Sequence, residues 1–464
     1  MKIKVVGAAG GEVTGSAYFV QTEHAKVLID AGMFQGGKRS EAKNRLPSGV
    51  NLSTLNAVLL THAHLDHTGR LPLLIKHGFK GRIFATGATI DLAELILRDS
   101  ARLQAQDAQR LNRRQAGRDG WPAEPLYGPE HVEPFRKLAQ AVVYGRPVAV
   151  AEGIRARWLE AGHMLGSASI ELTIQEGKRQ QTIVFSGDLG PTTLPVVREF
   201  ETFNSADLVF LEATYGDRDH RPYSETIAEL EVLVVQAARA KSKIIVPCFA
   251  IGRSQQILYH LAVMFRERNV EPFHVFLDSP MAIHASKAMV KHPDLFDEEL
   301  VDWKSRGLLP LDKDWFHASE TPKESQRLNE ISGPCMILAG SGMCTGGRVL
   351  HHFRENLPRE NTQVLMVGYQ GNGSLGRRLV DGASSVSIYG ERVPVRAGIH
   401  TLNGFSAHAG RSDLLKWFSP LAASQPRAFI THGEDRARTA LSTAIHQQFG
   451  QMPNLPSQGE VIDV

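Results

Sequence analysis

Short apolar runs closed by turn residues fill the first part of the chain. IKVVGAAGG, SAYFVQT, KVLIDAG, NAVLLTHAH and GRIFAT each read as a strand, with Gly and Asp punctuating the ends. From Asp91 to Gly117 the period changes. DLAELILRDSARLQAQDAQRLNRRQAG spaces its apolar residues three to four apart and holds back turn residues to its end, which predicts a helix with a solvated, arginine-rich face. GWPAEPLYGPEHVEPF is a proline-rich loop before another helix, and strands resume through VAVAEG, IRARWLEAG, SIELTIQEG and QTIVFSGDLG. Further on, SETIAELEVLVVQAARAKSKIIVPCFAIGRSQQILYHLAVMF and PFHVFLDSP read helix, strand, helix, strand. That alternation predicts a parallel sheet with crossover helices, so the fold class is α/β. No internal repeat or low-complexity tract interrupts the pattern.

The chemistry begins where one of those strands stops. THAHLDHTG places His62, His64, Asp66 and His67 on a single turn directly after LNAVLL. With 19 histidines in 464 residues, three at fixed positions arise rarely by chance. Neutral imidazoles and a carboxylate are the ligands that zinc and similar ions select. Four ligands on so short a loop scarcely converge on one tetrahedral ion, so they suit two adjacent ions with partners from elsewhere in the chain. Candidates occur at other strand ends: His163 in EAGHMLGSAS, Asp188 in VFSGDLG and Asp30 in LIDAGMFQGG. Each alone reads as structural; together they describe a metal site assembled along one edge of a sheet.

Composition sets limits. The chain is long enough for two or three domains, and 42% hydrophobic content is ordinary for a globular protein. A formal charge of +3 with a pI near 8.7 permits a phosphate-bearing partner without demanding one. Cys248, Cys335 and Cys344 lack CxxC spacing, as expected of reduced thiols in a cytosolic compartment. The start MKIKVVGAAGG is a strand, not a cleavable leader, and no apolar run reaches membrane-spanning length; a cytoplasmic protein without membrane contact is expected. His351 and His352 lack a surrounding pattern and read as surface, whereas His400 reads equally as a site residue or a structural one.

THAHLDH, His163 in GHMLGS and Asp188 in SGDLG resemble the motifs of the metallo-β-lactamase superfamily, whose fold is an αββα sandwich of two face-to-face sheets with helices outside. LVFLEATYGDR with Glu212, LNGFSAHAG with His408 and AFITHGE with His432 are similar to the three extra motifs of the β-CASP nucleases, while GSGMCTGGR and GYQGNGSLGRRL resemble Gly-rich segments of bacterial and archaeal RNA-processing members. The resemblance implies an inserted β-CASP domain, spanning 213–395, between metallo-β-lactamase portions at 1–212 and 396–464, with substrate in the cleft between them. It implies two zinc ions per chain, one held by His62, His64 and His163, the other by Asp66, His67 and His432, with Asp188 bridging. Asp30 would orient a ligand histidine by accepting its other N–H. His408, Glu212 and Asp66 would form the catalytic set: His408 protonates the departing 3′ oxygen and Glu212 keeps that imidazole charged. The implied reaction is hydrolysis of RNA phosphodiester bonds, endo- or exonucleolytic, leaving 5′ phosphate and 3′ hydroxyl.

Ser341, Thr345, Ser374, Arg377, Arg378 and Arg253 are candidates for contacting single-stranded RNA, against a plainer reading as tight turns with surface arginines. A homodimer is allowed. Archaeal relatives carry an N-terminal KH-type RNA-binding module, whereas this chain opens on the catalytic domain's first strand, so low sequence specificity is expected. Three other classes compete. A DNA nuclease of the superfamily typically lacks a histidine at the third β-CASP motif, where this chain has His432. A non-catalytic RNA-binding subunit would have lost ligands, and a lactamase or thioesterase would leave the insertion and His408 unexplained.

Overall fold

The computed structural model describes the chain except residues 37–39, 41, 47–50, 116–121, 268, 369, 372 and 403. The described residues form two compact units: Met1–Leu194, Glu199–Asp219 and His408–Val464 make the first, Pro195–Arg198 and His220–Ala407 the second.

In the first unit every strand expected from the apolar runs forms. One sheet has seven strands in the order Val461–Asp463, Lys2–Gly7, Ala17–Gln21, Lys26–Ile29, Ala57–Leu59, Arg82–Thr86, Ala139–Val142. The other has six, in the order Arg427–Thr431, Leu208–Glu212, Arg179–Phe185, Ala168–Glu176, Ile154–Glu160, Val148–Ala151. Period-2 alternation decides what each face covers. Trp158, Phe185 and Phe210 point into a core shared with Ile3, Val20 and Ile29 of the first sheet. Their neighbours Leu159, Val184 and Leu211 pack on the opposite face against Trp417, Phe418, Leu441 and Ile445 from the helices Arg411–Ala422 and Asp435–Phe449. The shared core is lined by stacked rings, Phe185 on Phe210 at 4.9 Å and Phe210 on Phe429 at 5.0 Å. This is the expected sandwich.

Two elements depart from the pattern. The long helix spans Gly87–Gln115, starting one turn before Asp91 because the Thr86 hydroxyl accepts the Thr89 N–H at 3.2 Å and caps it; its expected end at Gly117 lies outside the described residues. The helix expected after the proline-rich loop is only Phe135–Leu138, followed by the strand Ala139–Val142 at the sheet edge, whose exposed Gln140 and Ala141 give no apolar signal.

The second unit is built on a sheet of six parallel strands, ordered Phe316–Ala318, His274–Asp278, Cys335–Ala339, Lys243–Pro247, Thr362–Met366, Gly398–Thr401. Ile244, Val246, Met336 and Leu338 face the helices Tyr223–Arg239 and Arg253–Arg266, while Ile245, Ile337 and Val364 face Val349 and Phe353 of the helix Arg348–Asn356. Both faces are covered, as parallel sheets require. The chain stays in this unit past residue 396 because Gly398–Thr401 pairs with Gln363–Met366; it rejoins the first unit at His408.

His352 corrects the surface reading of the paired histidines. It is fully buried, with Nε2 2.6 Å from Asp278 Oδ2 and Nδ1 2.9 Å from Asn329 Oδ1, whereas His351 is exposed. Asp278 also accepts from Arg348 at 2.7 Å and Ser325 at 2.6 Å. Burial opposes its charge, but His352 and Ser325 hold the carboxyl below its ordinary range. Among the described residues no helix is long and apolar enough to cross a membrane.

Candidate metal centre

In the first unit, the strands Lys26–Ile29, Ala57–Leu59, Arg179–Phe185, Leu208–Glu212 and Arg427–Thr431 run parallel to a neighbour and deliver Asp30, His62, Asp188, Glu212 and His432 at their C-terminal ends. The histidine-rich turn is held from both sheets. Trp158 Nε1 donates to Leu60 O at 3.0 Å and Ala168 N donates to Thr61 O at 2.8 Å. The one-turn helix Leu65–Thr68 is docked by Ser16 N on Asp66 O, Ala31 N on His67 O and Met33 N on Leu65 O. Gly32 is required there, since a Cβ would stand 1.5 Å from Asp66 O. Asp30 and His432 both take left-handed backbone, φ 59° and 49°, a cost that surrounding structure must offset and that aims both side chains inward.

Two donor sets converge on Asp188. In the first, His62 Nε2 and His163 Nε2 each lie 3.1 Å from His64 Nδ1, and Asp188 Oδ2 is 3.6 Å from His62 and 3.8 Å from His163. In the second, His67 Nε2 and His432 Nε2 are 3.1 Å apart, Asp188 Oδ1 is 3.2 and 3.5 Å from them, and Asp66 Oδ2 is 3.7 Å from His432. Donors around a tetrahedral ion with bonds of about 2.0–2.1 Å sit about 3.3–3.4 Å apart, which is the spacing seen. Asp188 Oδ1 is buried yet makes no hydrogen bond of acceptable geometry. Its lone pairs are aimed at the gap between the imidazoles.

Proton positions agree. Thr61 spends its backbone N–H and its hydroxyl hydrogen on the two Asp30 oxygens, each at 2.8 Å, so its hydroxyl oxygen accepts from His62 Nδ1 at 3.0 Å. His67 Nδ1 donates to Asp30 Oδ2 at 2.8 Å, and His432 Nδ1 to the Thr214 hydroxyl at 3.2 Å. Each Nε2 is left with a lone pair facing its neighbours, and something positive must sit between them. Burial disfavours charge on His67, yet Asp188 and Asp30 raise it well above its ordinary value; burial also opposes His432, which Asp188 and Asp66 raise. Burial and the His67 charge push His62 well down. Asp66 is drawn down to about 2 against its burial, by His432 and His67, and Asp188 falls well below its usual range against its burial, by His432 and His67. Carboxylates held low and imidazoles held high in one buried cluster mark a site whose fixed negative charge favours a cation between the side chains.

His408 stands at the rim. Its Nδ1 is 3.3 Å from Glu212 Oε1 and 3.9 Å from Asp188 Oδ2, and its side chain keeps 24% exposure. Burial works against its charge, but Glu212, then Asp188 and Asp66, raise it to about 9. Glu212 is pinned by Leu189 N on Oε1 at 2.8 Å and Thr214 N on Oε2 at 3.1 Å.

The Metallo-beta-lactamase superfamily model matches residues 10–248, more than half the chain, and the Beta-Casp domain model matches 254–379. A third model, the Zn-dependent metallo-hydrolase RNA specificity domain, matches 392–456. Ribonuclease TTHA0252 of Thermus thermophilus is 38% identical over all of this chain and all of its own. The chain belongs to the metallo-β-lactamase superfamily, in the β-CASP branch of metal-dependent nucleases. Transcription termination factor FttA of Pyrococcus abyssi is 29% identical over 99% of this chain and 71% of its own length, and that of Cenarchaeum symbiosum 30% over 97% and 69%. A crystal structure of a protein of unknown function from Enterococcus faecalis V583, 12% identical, superposes with a TM-score of 0.56 over 100% of this chain and 99% of that one, a likeness of fold alone.

In this β-CASP protein the expected RNA-contacting residues all fall in the second unit and do not share one environment. Ser341 Oγ accepts from Thr345 N at 3.1 Å and lies 3.3 Å from the Thr345 hydroxyl, so the two order their own loop. Ser374 caps the helix Leu375–Val380 by accepting from Arg377 N, Arg377 pairs with Asp381 at 2.6 Å, and Arg378 beside it is exposed. Arg253 departs from the expectation: it is buried, donates to Gln256 at 2.9 Å and lies over the Phe405 ring at 5.2 Å. His400 takes the structural side of its two readings, 2.7 Å from Gln363 Oε1 in the second unit's sheet. Tyr369, Asn372 and Asn403 of the quoted motifs lie outside the described residues. Sequence reasoning missed Thr61 and Thr214, which stand beside motif residues but carry no ligand chemistry of their own.

Asp30→Asn keeps size and tolerance of left-handed backbone while removing the charge behind His67 and Thr61. Metal affinity, read by competition with a chromophoric chelator, is expected to fall about 10–100-fold. Unchanged affinity would show that the Asp30 carboxylate does not act through its neighbours.

Proposed function

We propose that the chain is a zinc-dependent ribonuclease that hydrolyses phosphodiester bonds of single-stranded RNA with two ions, leaving 5′ phosphate and 3′ hydroxyl, in RNA processing or decay. One observation carries it: the Asp188 carboxylate is divided, Oδ2 toward His62 and His163 and Oδ1 toward His67 and His432. His62, His64, His163 and Asp188 would hold one ion, and Asp66, His67, His432 and Asp188 the other. An imidazole-rich set with a few carboxylates favours zinc over magnesium or calcium, which prefer oxygen alone. Bound, such a pair supplies Lewis acidity for attack of water at phosphorus and offsets the charge that develops there.

The remaining chemistry belongs to side chains. Glu212, fixed by two backbone N–H groups, takes His408 Nδ1–H and leaves Nε2 to hold a proton. Because His408 is partly open, the departing 3′ oxygen can receive that proton, which removes the cost of expelling an alkoxide. The substrate class is supported by the end-to-end ribonuclease relative and the RNA specificity model over 392–456. A cytoplasmic location accords with the three buried, unpaired cysteines.

The test offers metal-replete protein end-labelled RNA and DNA of one sequence, each with 5′ phosphate or 5′ hydroxyl. RNA is expected to be cut faster, to products bearing 5′ phosphate. Equal or faster cutting of DNA would overturn the substrate class, and no cutting of either would overturn the nuclease reading.

A further inference from the structure

Among the described residues, the Phe249 ring lies open at the C-terminal ends of the second unit's parallel strands. Lys243–Pro247 leads into Phe249, and its neighbours Cys335–Ala339 and Thr362–Met366 lead into Gly342 and Gly368. A Cβ added at Gly342 would stand 2.9 Å from the Phe249 ring, and one at Gly368 would stand 3.5 Å from it. The ring is therefore laid across both glycines, and a side chain at Gly342 would displace it. Buried Gln370 ties the two loops together, donating from Nε2 to Gly342 O at 2.8 Å and Gly368 O at 3.0 Å. Despite this seating Phe249 remains 45% exposed, and Met343 in the adjoining loop 38%. The Ser341 and Thr345 hydroxyls of that loop meet 3.3 Å apart.

A single exposed phenylalanine is unremarkable by itself. What distinguishes this one is that two glycines and a buried amide hold a ring that is then left half open. Apart from Met343 and the buried Cys344, the described residues of the adjoining loop are glycines and hydroxyl side chains, so the apolar surface beside the ring is narrow. A flat ring beside polar donors suits a nucleobase, whose π-face stacks without regard to sequence while its ribose and phosphate meet hydroxyls. The C-terminal edge of a parallel sheet is also where open α/β sheets bind ligands.

We propose that Phe249 is a stacking platform for one base of single-stranded RNA. The proposal rests on the ribonuclease reading above and adds a binding residue to it. In metal-replete His408→Ala protein, chosen so that RNA persists, Phe249→Ala is expected to weaken binding of a fluorescein-labelled single-stranded RNA about 10-fold, the scale of one base stack. Phe249→Trp is expected to restore affinity, with its added indole emission quenched by RNA. An abasic ribose-phosphate oligomer of equal length should bind the Phe249 and Phe249→Ala proteins alike. Equal weakening for the abasic oligomer, or no weakening for RNA, overturns the platform while leaving the ribonuclease reading intact. Loss of self-association in Phe249→Ala with RNA affinity unchanged also overturns it, in favour of a contact between copies. Failure of every form to bind RNA overturns both readings together.

Discussion

Replacing His408 by alanine is expected to slow RNA cleavage by about 10²–10⁴-fold while leaving the metal content unchanged. The geometry makes this a sharp test, because His408, Asp188 and Glu212 could themselves be taken as a third set of ligands. Two facts oppose that. Glu212 already accepts from Leu189 N, Thr214 N and His408 Nδ1, which occupies its oxygens, and the His408 imidazole is partly open, so a leaving group can approach it. Elemental analysis of the variant separates the roles: loss of zinc would make His408 a ligand. A second substrate sharpens the result. A nitrophenyl phosphodiester expels a stable anion without needing a proton, so the variant should cleave it at close to the unmodified protein's rate. An equal loss on both substrates would show that His408 does something other than protonate the leaving oxygen.

Asp188→Asn is expected to abolish RNA cleavage and to lower zinc from about two ions per chain to about one or fewer. The substitution keeps the side chain's size and one acceptor oxygen but cannot offer two negative oxygens to two sites. In the present arrangement Oδ1 faces His67 and His432 while Oδ2 faces His62 and His163, so one residue sets the charge of both halves. Zinc binding adds stability that grows with the logarithm of one plus the ratio of free zinc to Kd, so added zinc should raise the melting midpoint of the unmodified protein more than that of the variant. Full metal content in Asp188→Asn would refute the shared ligand.

Much of this could be read along the chain. The strands announced themselves as short apolar runs because each buries its alternate residues against two different layers, as Trp158 and Leu159 do. The second unit's helix and strand alternation likewise set its parallel sheet. THAHLDH was legible as a metal motif because several ligands on one turn are chemically costly unless something uses them.

What the linear pattern could not decide was pairing across space. Ala139–Val142 is a strand because a sheet edge is available to it, not because of its residues. His352 is interior because Asp278 and Asn329 satisfy both its nitrogens, and Arg253 is interior because Gln256 and the Phe405 ring receive it. Thr61 matters because residues 31 apart bring its hydroxyl between Asp30 and His62. Sequence determined which groups and which local elements this protein has, since propensity and periodicity act over a few residues. Tertiary structure alone decided which lone pair faces which, because hydrogen bonds and buried charges act over a few ångströms between residues that the chain separates by hundreds, as His67 and His432 are.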